Sequence, residues 1–322
     1  MIVETGKVKN AASPSVASVT VVHNGALVLS GHIDALLAQR RPLQEIIIVD
    51  NASTDNTRTL MAERYPNVTV LPMAENLGVG GGFAAGLAYA ALNQLHDWVW
   101  MFDQDSTPNE DALETLLEGV GSLGHHNREV GIVAALPVHR ETGTAYLPLN
   151  WREGYAKLSA EELKQPVCFA DLVISSGSMV RREVVKKIGL PRADFFMYFL
   201  DFEYCLRARA YGYKIAVVTG SRIAHEMGNA RNVRLLGFRG IWPERNPVWE
   251  YYISRNITYA AWSLYPSGKT KRFVVGHLVR HAGGALLFGS NKLACVKKMA
   301  QGFWDGRRGR LGIRFRPSGV QA

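Results

Sequence analysis

One stretch constrains the fold of this chain more than any other: five large apolar residues, 98–102, run directly into Asp103-Gln-Asp105. Trp, Val and Phe favour strands, and an unbroken apolar run indicates a strand buried on both faces, as in a mainly parallel sheet. Open α/β sheets bind ligands at their strand ends, and paired carboxylates suit a hard divalent cation. The same acids, followed by Ser-Thr-Pro108, also suit a turn and a helix cap. These residues alone leave both interpretations open.

The rest of the chain alternates predicted strands with predicted helices. Strands are expected at 16–22, 45–50, 68–71, 130–134, 170–174 and 214–218, and helices at 30–39, 83–94, 110–121, 200–211, 249–263, 271–287 and 292–304. Such alternation indicates crossover units and a parallel sheet with helices on both faces. Because parallel strands end at the same edge, Asp50, which ends the second strand, is expected at the same rim as Asp103.

A glycine-rich run follows the third predicted strand, with Gly78, Gly80, Gly81 and Gly82 close behind Asn76. Glycines let a backbone approach a ligand closely, and we expect the run to open a helix whose free amides face phosphate. The run lacks the Gly-Lys-Ser/Thr of a P-loop, and it does not follow the first strand as a dinucleotide fingerprint does. Those two nucleotide-binding classes are therefore disfavoured.

The positive charge is concentrated near the C-terminus. The chain has 322 residues and a net charge of +9, yet residues 269–316 hold 12 Lys and Arg against one acid, Asp305. The other residues, with 25 basic and 27 acidic side chains, are close to neutral. The basic segment is interleaved with apolar residues. It fits either amphipathic helices on an anionic membrane surface or a helical cap with a solvated basic face.

Cysteine usage and the first residues bear on location. The three cysteines form no Cys-x-x-Cys pair, which argues against a disulfide framework or a zinc site and favours a reducing compartment. The chain starts without the basic and apolar regions of a secretory signal. We expect a cytoplasmic protein, with contact to the inner face of the cell membrane left open.

Several segments, in unbroken order over about residues 15–230, resemble glycosyltransferase family 2, and among its members the bacterial rhamnosyltransferases. They are Val21-Val-His-Asn24, Val49-Asp-Asn-Ala-Ser-Thr-Asp55, Asn76-Leu-Gly78, Asp103-Gln-Asp105-Ser, Ser175-Ser-Gly177, Leu200-Asp-Phe-Glu203-Tyr-Cys-Leu-Arg207 and His225, with a weaker echo in Tyr251-Tyr-Ile-Ser-Arg255-Asn256. The resemblance implies the GT-A fold, an α/β nucleotide-sugar-binding fold with a mainly parallel sheet flanked by helices. The predicted division is a flexible N-terminus (1–14), a catalytic domain (15–230) and a basic helical extension (231–322).

The resemblance also implies a reaction: inverting transfer of a sugar from a nucleotide donor to a glycan or lipid-linked glycan hydroxyl. Asp105 and His225 would hold Mg²⁺ or Mn²⁺ on the donor diphosphate. Asp103 would bind the ribose or a metal-bound water. Asp201 matches the family's catalytic base, which must accept the proton of the attacking hydroxyl.

Further site residues follow from the same resemblance. The predicted donor-nucleotide residues are Asp50, Asn51, Asp55, Asn76, Gly78, Gly82 and Asp103. The predicted acceptor residues are Ser176, Gly177 and Glu203. Two of these have simpler readings from the residues themselves. Asp55 also suits the first turn of a helix, and Glu203 stands four residues before Arg207, as in a helical ion pair.

The donor sugar is open between two candidates. The overall resemblance favours L-rhamnose from dTDP-rhamnose. Gly80-Gly-Gly-Phe83 followed by Asp97-Trp-Val-Trp100 is similar to galactofuranosyltransferases of the same family, which use UDP-galactofuranose. The chain also departs from the family pattern, with Leu200-Asp201 in place of the usual Glu-Asp pair and Tyr198 where many rhamnosyltransferases carry an acid.

Two other functional classes could use some of the same residues. A glycoside hydrolase would use two carboxylates on either side of the sugar, and it would need no nucleotide or metal. A nucleic-acid-binding protein would explain the basic segment, but the near-neutral remainder of the chain does not support it.

Overall fold

A computed structural model describes residues 13–150, 156–225, 230–235, 238–243, 246–289 and 291–316, and only the backbone of those within 230–243. The N-terminus predicted to be flexible, residues 1–14, lies outside this part of the chain except for its last two residues.

The described residues form strands and helices in an alternating order. The strands are β1 Val16–Val22, β2 Glu45–Asp50, β3 Thr69–Pro72, β4 Trp98–Asp103, β5 Thr107–Pro108, β6 Val130–Val138, β7 Leu149–Asn150, β8 Ala156–Lys157, β9 Val167–Ala170, β10 Ser178–Arg181, β11 Lys214–Ala224, β12 Ala230–Leu235 and β13 Phe238–Pro243. The α-helices are α1 Leu29–Leu37, α2 Thr57–Arg64, α3 Gly78–Leu87, α4 Ala112–Ser122, α5 Arg182–Ile188, α6 Leu200–Ala210, α7 Pro247–Tyr259, α8 Gly268–Phe288 and α9 Lys292–Arg307. Two π-helical segments, Ala88–Asn93 and Ala260–Leu264, continue α3 and α7.

The main sheet is mixed, with mostly parallel strands in its N-terminal half. Its order is β3-β2-β1-β4-β10-β6-β11-β5, with β9 beside β11. The first four strands run parallel, and β10 runs antiparallel between β4 and β6. The register pairs Val22 of β1 with Asp50 and Val21 with Asp103. Both acids therefore lie at one rim, as the strand pattern predicted.

Helices cover both faces of this sheet. On one face Phe83 and Leu87 of α3 pack against β1, β2 and β4. On the other, Leu113 and Leu116 of α4 pack with Trp100 and Phe102. All seven residues of β1 are buried, which is why its sequence is uniformly apolar or small.

One predicted helix begins earlier than expected, and one predicted strand is not formed in the described part of the chain. The helix predicted at 83–94 begins at Gly78, so the glycine run lies inside α3 instead of in a loop before it. The strand predicted at 170–174 is absent from the described structure: β9 ends at Ala170, and β10 begins at Ser178. Leu172 and Val173 are buried by packing in the core beside the sheet, so their apolar character did not signal a strand.

The predicted helical extension opens with the β12–β13 hairpin and continues into α7–α9. Helix α9 approaches α7 so closely that a side chain at Gly302 or Gly306 would collide with the backbone carbonyls of Tyr251 and Arg255. The described helices of this region therefore form a packed cap. No helix within the described residues is long and apolar enough to cross a bilayer.

After α9 the chain returns to the sheet as a segment we call the C-terminal strap, residues 311–316. The Tyr252 hydroxyl accepts hydrogen bonds from the backbone amides of Arg314 and Phe315, at 3.0 and 3.1 Å, and donates to the Phe315 carbonyl. Arg316 then reaches the loop between β3 and α3, where it donates to the Asn76 carbonyl at 2.7 Å and pairs with Glu75 at 3.0 Å. The end of the described chain thus contacts a loop predicted to bind the donor.

Candidate active site

Three carboxylates from separate elements converge at the rim of the sheet. Asp103 ends β4, Asp105 lies in the turn after it, and Asp201 occupies the first turn of α6. Burial raises the pKa of Asp103 to about 8, and the nearby charges of Asp105 and Asp201 act in the same direction. Like charges held together in this way favour binding of a cation or a proton.

Asp201 has its own electrostatic environment. Burial raises its pKa to about 6, and this is opposed by backbone hydrogen bonds, among them that of Phe202, whose amide lies 2.9 Å from Oδ1. The carboxyl group is therefore deprotonated near neutral pH yet basic enough to accept a proton. Those are the properties that general-base catalysis requires.

A buried hydrogen-bond network connects this rim to His225, which directly follows β11. Ser106 is fully buried, and its hydroxyl lies 2.8 Å from His225 Nδ1 and 2.6 Å from the Ser176 hydroxyl. Asp105 Oδ1 is 3.6 Å from the same Nδ1. With two oxygens facing Nδ1, a proton on that nitrogen would place the lone pair of the neutral ring on Nε2.

The other side of the network is a buried histidine that the sequence did not single out. His32 Nε2 lies 2.8 Å from the Thr20 hydroxyl, and Nδ1 contacts the Ser106 carbonyl. Burial lowers the pKa of His32 to about 4, so this ring is neutral at physiological pH. Ser106 is thereby held on both sides. Ser106 stands directly after the Asp-x-Asp sequence, and that position is the feature of the sequence that could have pointed to Ser106.

The donor set at this rim fits a hard divalent cation. Asp103 and Asp105 would provide carboxylate oxygens, and His225 would provide an imidazole nitrogen. In the part of the chain that is described, no three acidic, His or Cys side chains are already gathered as metal ligands. A metal there would need ligands from a bound molecule as well, as is usual for Mg²⁺ with phosphates.

Several of the predicted donor residues lie near the end of β2, in loops that are hydrogen-bonded to each other. Asp50 is buried, accepts a hydrogen bond from the Ser53 amide at 3.0 Å and pairs with Arg58. Asn51 is also buried. Its side chain donates to Asn76 Oδ1 and to the Gly78 carbonyl, and it accepts from the Leu77 amide. Asn51 therefore holds the loop in place instead of presenting its amide to a ligand.

The expected phosphate site at the start of α3 is not supported. The amides of Leu77, Gly78 and Gly80 already donate to Asn51 Oδ1, Asn76 Oδ1 and the Phe196 carbonyl, at 2.9, 2.8 and 3.0 Å. The glycines have packing reasons instead. Gly78 has a φ of +70° and lies against the Phe196 backbone, where any side chain would collide.

Gly82, another predicted donor residue, also serves packing, since a Cβ there would overlap Val21 of β1. Asp55 is exposed and serves as a local cap: it accepts from the Thr57 amide at 3.0 Å and from the Ala26 amide at 3.1 Å. Burial acts to raise the pKa of Asp55, but the hydrogen bonds from Thr57 and Ala26 outweigh it and lower the pKa. The first-turn reading of Asp55 is wrong, because α2 begins at Thr57 and has no acid in its first turn; Asp55 lies two residues before the helix.

The three predicted acceptor residues lie behind the rim. Ser176 is buried, and its hydroxyl accepts from the Asp103 amide at 3.2 Å. Gly177 has a φ of +82°, and a Cβ there would collide with Ile223. Glu203 is buried in a bidentate pair with Arg207, with Tyr265 of the cap beside it. Glu203 is therefore a structural residue, and the ion-pair reading of its spacing is confirmed.

Two further residues near the site come from the C-terminal half. Arg255 and Asn256 of α7 are fully buried and donate hydrogen bonds to backbone carbonyls of the loop that precedes Asp201. The sequence showed them only as a weak echo of the family pattern.

Arg140, exposed on the loop after β6, donates to Thr107 and to the Asp105 carbonyl at 2.9 and 3.4 Å. No sequence signal identified Arg140.

Comparison with a solved structure shows the fold, and a family model shows the class of protein. The fold superimposes on GalNAc-T7, solved with UDP, GalNAc and Mn²⁺, with a TM-score of 0.61 at 15% identity, over 93% of this chain and 57% of that one. The protein is a glycosyltransferase with the GT-A fold. Residues 18–189 match the model of Glycosyl transferase family 2, and the chain belongs to that family.

Two curated relatives illustrate its place within the family. The chain is 25% identical to dTDP-rhamnosyl transferase RfbF of Shigella flexneri over 270 residues, which are 83% of this chain and 87% of the relative. It is 39% identical to galactofuranosyltransferase GlfT1 of Mycobacterium tuberculosis over 193 residues, 57% of this chain and 60% of the relative. Both donor candidates thus have a counterpart among the relatives.

Proposed function

We propose that this glycosyltransferase transfers L-rhamnose, with inversion, from dTDP-rhamnose to a hydroxyl of a growing, lipid-linked cell-surface polysaccharide. The observation that carries the reaction type is the convergence of Asp103, Asp105 and Asp201 at one rim, with His225 beside them. The rhamnose assignment is supported by the similarity to dTDP-rhamnosyl transferase RfbF over most of both chains. We assign catalysis to residues 15–230 and support of the site to 231–322.

In this proposal Asp105 and His225, with Asp103, would hold Mg²⁺ or Mn²⁺ at the donor diphosphate. The cation supplies Lewis-acid stabilisation of the charge that develops on the leaving nucleotide. The Ser106 hydroxyl orients His225. Asp50 and Asn76 lie at the edge of the nucleotide pocket.

Asp201 accepts the proton of the acceptor hydroxyl as that oxygen attacks the anomeric carbon. The new glycosidic bond forms on the face opposite the breaking sugar–phosphate bond, so the configuration inverts. The electron pair of that bond leaves with the nucleoside diphosphate, and the proton stays on Asp201 until solvent removes it. A pKa of about 6 suits this proton transfer near neutral pH.

A donor panel tests the proposal. Purified protein with Mn²⁺ is offered dTDP-rhamnose, UDP-galactofuranose and UDP-glucose, and nucleotide release and thermal shift are measured. We expect dTDP-rhamnose to give the highest turnover. Preference for UDP-galactofuranose would instead support the second candidate, which rests on the 39% identity to galactofuranosyltransferase GlfT1. Sugar hydrolysis without nucleotide or metal would contradict both.

We also propose that the cap contacts an anionic membrane. Several apolar side chains of α8 and α9 are exposed, and both helices also carry exposed basic residues: the apolar ones are Val275, Val279, Leu286, Leu287, Leu293 and Trp304, and the basic ones include Arg272, Arg280 and Lys297. Apolar insertion together with lysine and arginine near the surface is typical of interfacial helices.

Point substitutions test this contact better than removal of the cap, since α7 and α9 bury polar side chains against each other. Vesicles of phosphatidylglycerol and phosphatidylcholine are sedimented with the protein. We expect Leu287→Glu to reduce binding severalfold, and Leu37→Glu to leave it unchanged. Leu37 is a matched control on the catalytic domain, because the two leucines are 60% and 59% exposed. Equal binding of both variants would contradict the proposal.

A further inference from the structure

The loop that leads into α6 has an unusual backbone. Phe196, Tyr198 and Phe199 all have positive φ angles, of 62°, 57° and 64°. Non-glycine residues in such conformations are strained and persist only where the surroundings hold them. Asp201 lies two residues after Phe199, so this backbone determines where its carboxylate is placed.

One side chain of the cap holds most of this loop. Asn256 is fully buried, and its Nδ2 donates to the carbonyl oxygens of Phe195, Met197 and Tyr198 at 3.0, 2.7 and 2.8 Å. A carboxamide has two N–H groups, so three acceptors share them. These carbonyls point into the protein because of the left-handed backbone, and each would be left without that hydrogen bond if the amide were removed.

Arg255 fixes the orientation of that amide. Its Nε donates to Asn256 Oδ1 at 2.8 Å, which turns Nδ2 toward the loop. Its Nη2 donates to the carbonyls of Asp194 and Phe195, at 3.1 and 2.9 Å. The guanidinium also lies over the ring of Tyr252, 4.6 Å from its centre. Arg255 and Asn256 together therefore hold the loop from residue 194 to residue 198.

We propose that Asn256, oriented by Arg255, is a positioning residue for catalysis: by holding the strained loop 194–199 it sets the place of Asp201 relative to the donor rim. This inference rests on the proposed role of Asp201 as base. It gives the helical cap a part in the reaction that is separate from any membrane contact. Small displacements of a catalytic group lower rates steeply, so loss of the amide should act on turnover.

The test compares two buried polar residues of the same helix. Asn256→Ala removes the contacts to the loop. Ser254→Ala removes a hydrogen bond from the Ser254 hydroxyl to the Met299 carbonyl, 2.7 Å long and directed at α9. We expect Asn256→Ala to lower kcat by about 10- to 100-fold, with the donor KM and the Kd for the nucleoside diphosphate within about twofold of the wild-type values. Ser254→Ala should lower Tm but leave kcat unchanged.

A milder variant guards against loss of folding. Asn256→Ser keeps one donor on a shorter side chain, and we expect its kcat to lie between those of Asn256→Ala and the wild type. The proposal is overturned if folded Asn256 variants, identified by a normal thermal shift with nucleotide, show the kcat of Ser254→Ala. It is also overturned if neither Asn256 variant folds, because the role would then be purely structural.

Asp201→Asn separates this inference from the proposed function. If Asp201→Asn is inactive and Asn256→Ala is normal, only the positioning role fails. If Asp201→Asn remains fully active, the proposed base is wrong, whatever the Asn256 variants show.

Discussion

The rim of the sheet, with its three carboxyl groups, and the helical cap, with Arg255, both hold ionisable side chains at least partly away from water, and they treat them in opposite ways. In the cap, Arg255 is surrounded by acceptors: the carbonyls of Asp194, Phe195 and Gly312 and the side chain of Asn256. At the rim, Asp103 faces the like charges of Asp105 and Asp201, and its pKa rises to about 8. The difference separates two uses of buried charge. A compensated charge holds a backbone in shape, whereas an uncompensated one is available for a ligand.

The largest effect is expected from a substitution that removes a carboxylate at the rim. Asp201→Asn keeps the shape of the side chain but cannot accept a proton, so kcat should fall by about 10²- to 10⁴-fold. Tm should stay the same or rise, because burial disfavours the charged carboxylate. Initial rates with a saturating donor and a thermal melt measure the two effects. A large drop in Tm would show that Asp201, like Arg255, is chiefly structural.

The counterpart in the cap is Arg255→Met, which fills similar space without donors. Several buried carbonyls would lose their partner, at about 1–3 kcal/mol for each one left unsatisfied. We expect the free energy of unfolding in urea to fall by about 3 kcal/mol or more. An unchanged urea midpoint would show that water or a rearranged loop satisfies these carbonyls, and the contrast with the rim would be lost.

Metal binding should depend on pH through Asp103. With a pKa of about 8 in the metal-free protein, this carboxyl is protonated at neutral pH and must lose its proton to act as a ligand. The apparent affinity for Mn²⁺ in the presence of dTDP should therefore fall as the pH is lowered from 8.5 to 6.5, by up to about tenfold per unit. Calorimetry measures it.

Asp103→Asn is the control for that titration, because the phosphates of the nucleotide also take up protons. The variant should show a shallower dependence of Mn²⁺ affinity on pH than the wild type does. Identical slopes in the two proteins would assign the whole pH effect to the nucleotide.

The smallest effect is expected at the contact between the C-terminal strap and the loop that precedes α3. Arg316 of the strap donates to the Asn76 carbonyl, and its pair with Glu75 is exposed and therefore weak. Arg316→Gln should raise the Kd for dTDP or UDP by about two- to fivefold, in line with the small contribution of an exposed charged contact. Arg314→Gln, with the same change of charge two residues away, is the matched control. Equal Kd values in both variants would show that Arg316 of the strap does not contribute to nucleotide binding.

Much of the fold could be predicted from local pattern. Strand β2 has the predicted bounds, and the acids at the ends of β2 and β4 meet at one rim because parallel strands end together. The Glu203–Arg207 pair followed from helical spacing alone. These predictions succeeded because they depend on periodicities of a few residues, which a sequence displays directly.

The glycine run shows where such reasoning stopped. Its composition was compatible with a phosphate loop, but Gly78 and Gly82 are required by Phe196 and Val21, far away in sequence. The same holds for Ser176, whose hydroxyl supports the Asp103 amide from behind. A residue that is small because a distant neighbour needs the space looks the same in sequence as one that is small for a ligand.

The sequence by itself determined the class of this protein: apolar strands that end in acids, in an order typical of family 2, specify a GT-A glycosyltransferase. Only the tertiary structure decided which polar residues face the rim and which support it. It placed Ser106 and His32 beneath the Asp-x-Asp turn, and Asn256 beneath the loop before Asp201. The physical reason is the sequence separation of the interacting residues. Strand and helix patterns are local, whereas the hydrogen bonds that orient these catalytic candidates join residues about 60 to 120 positions apart.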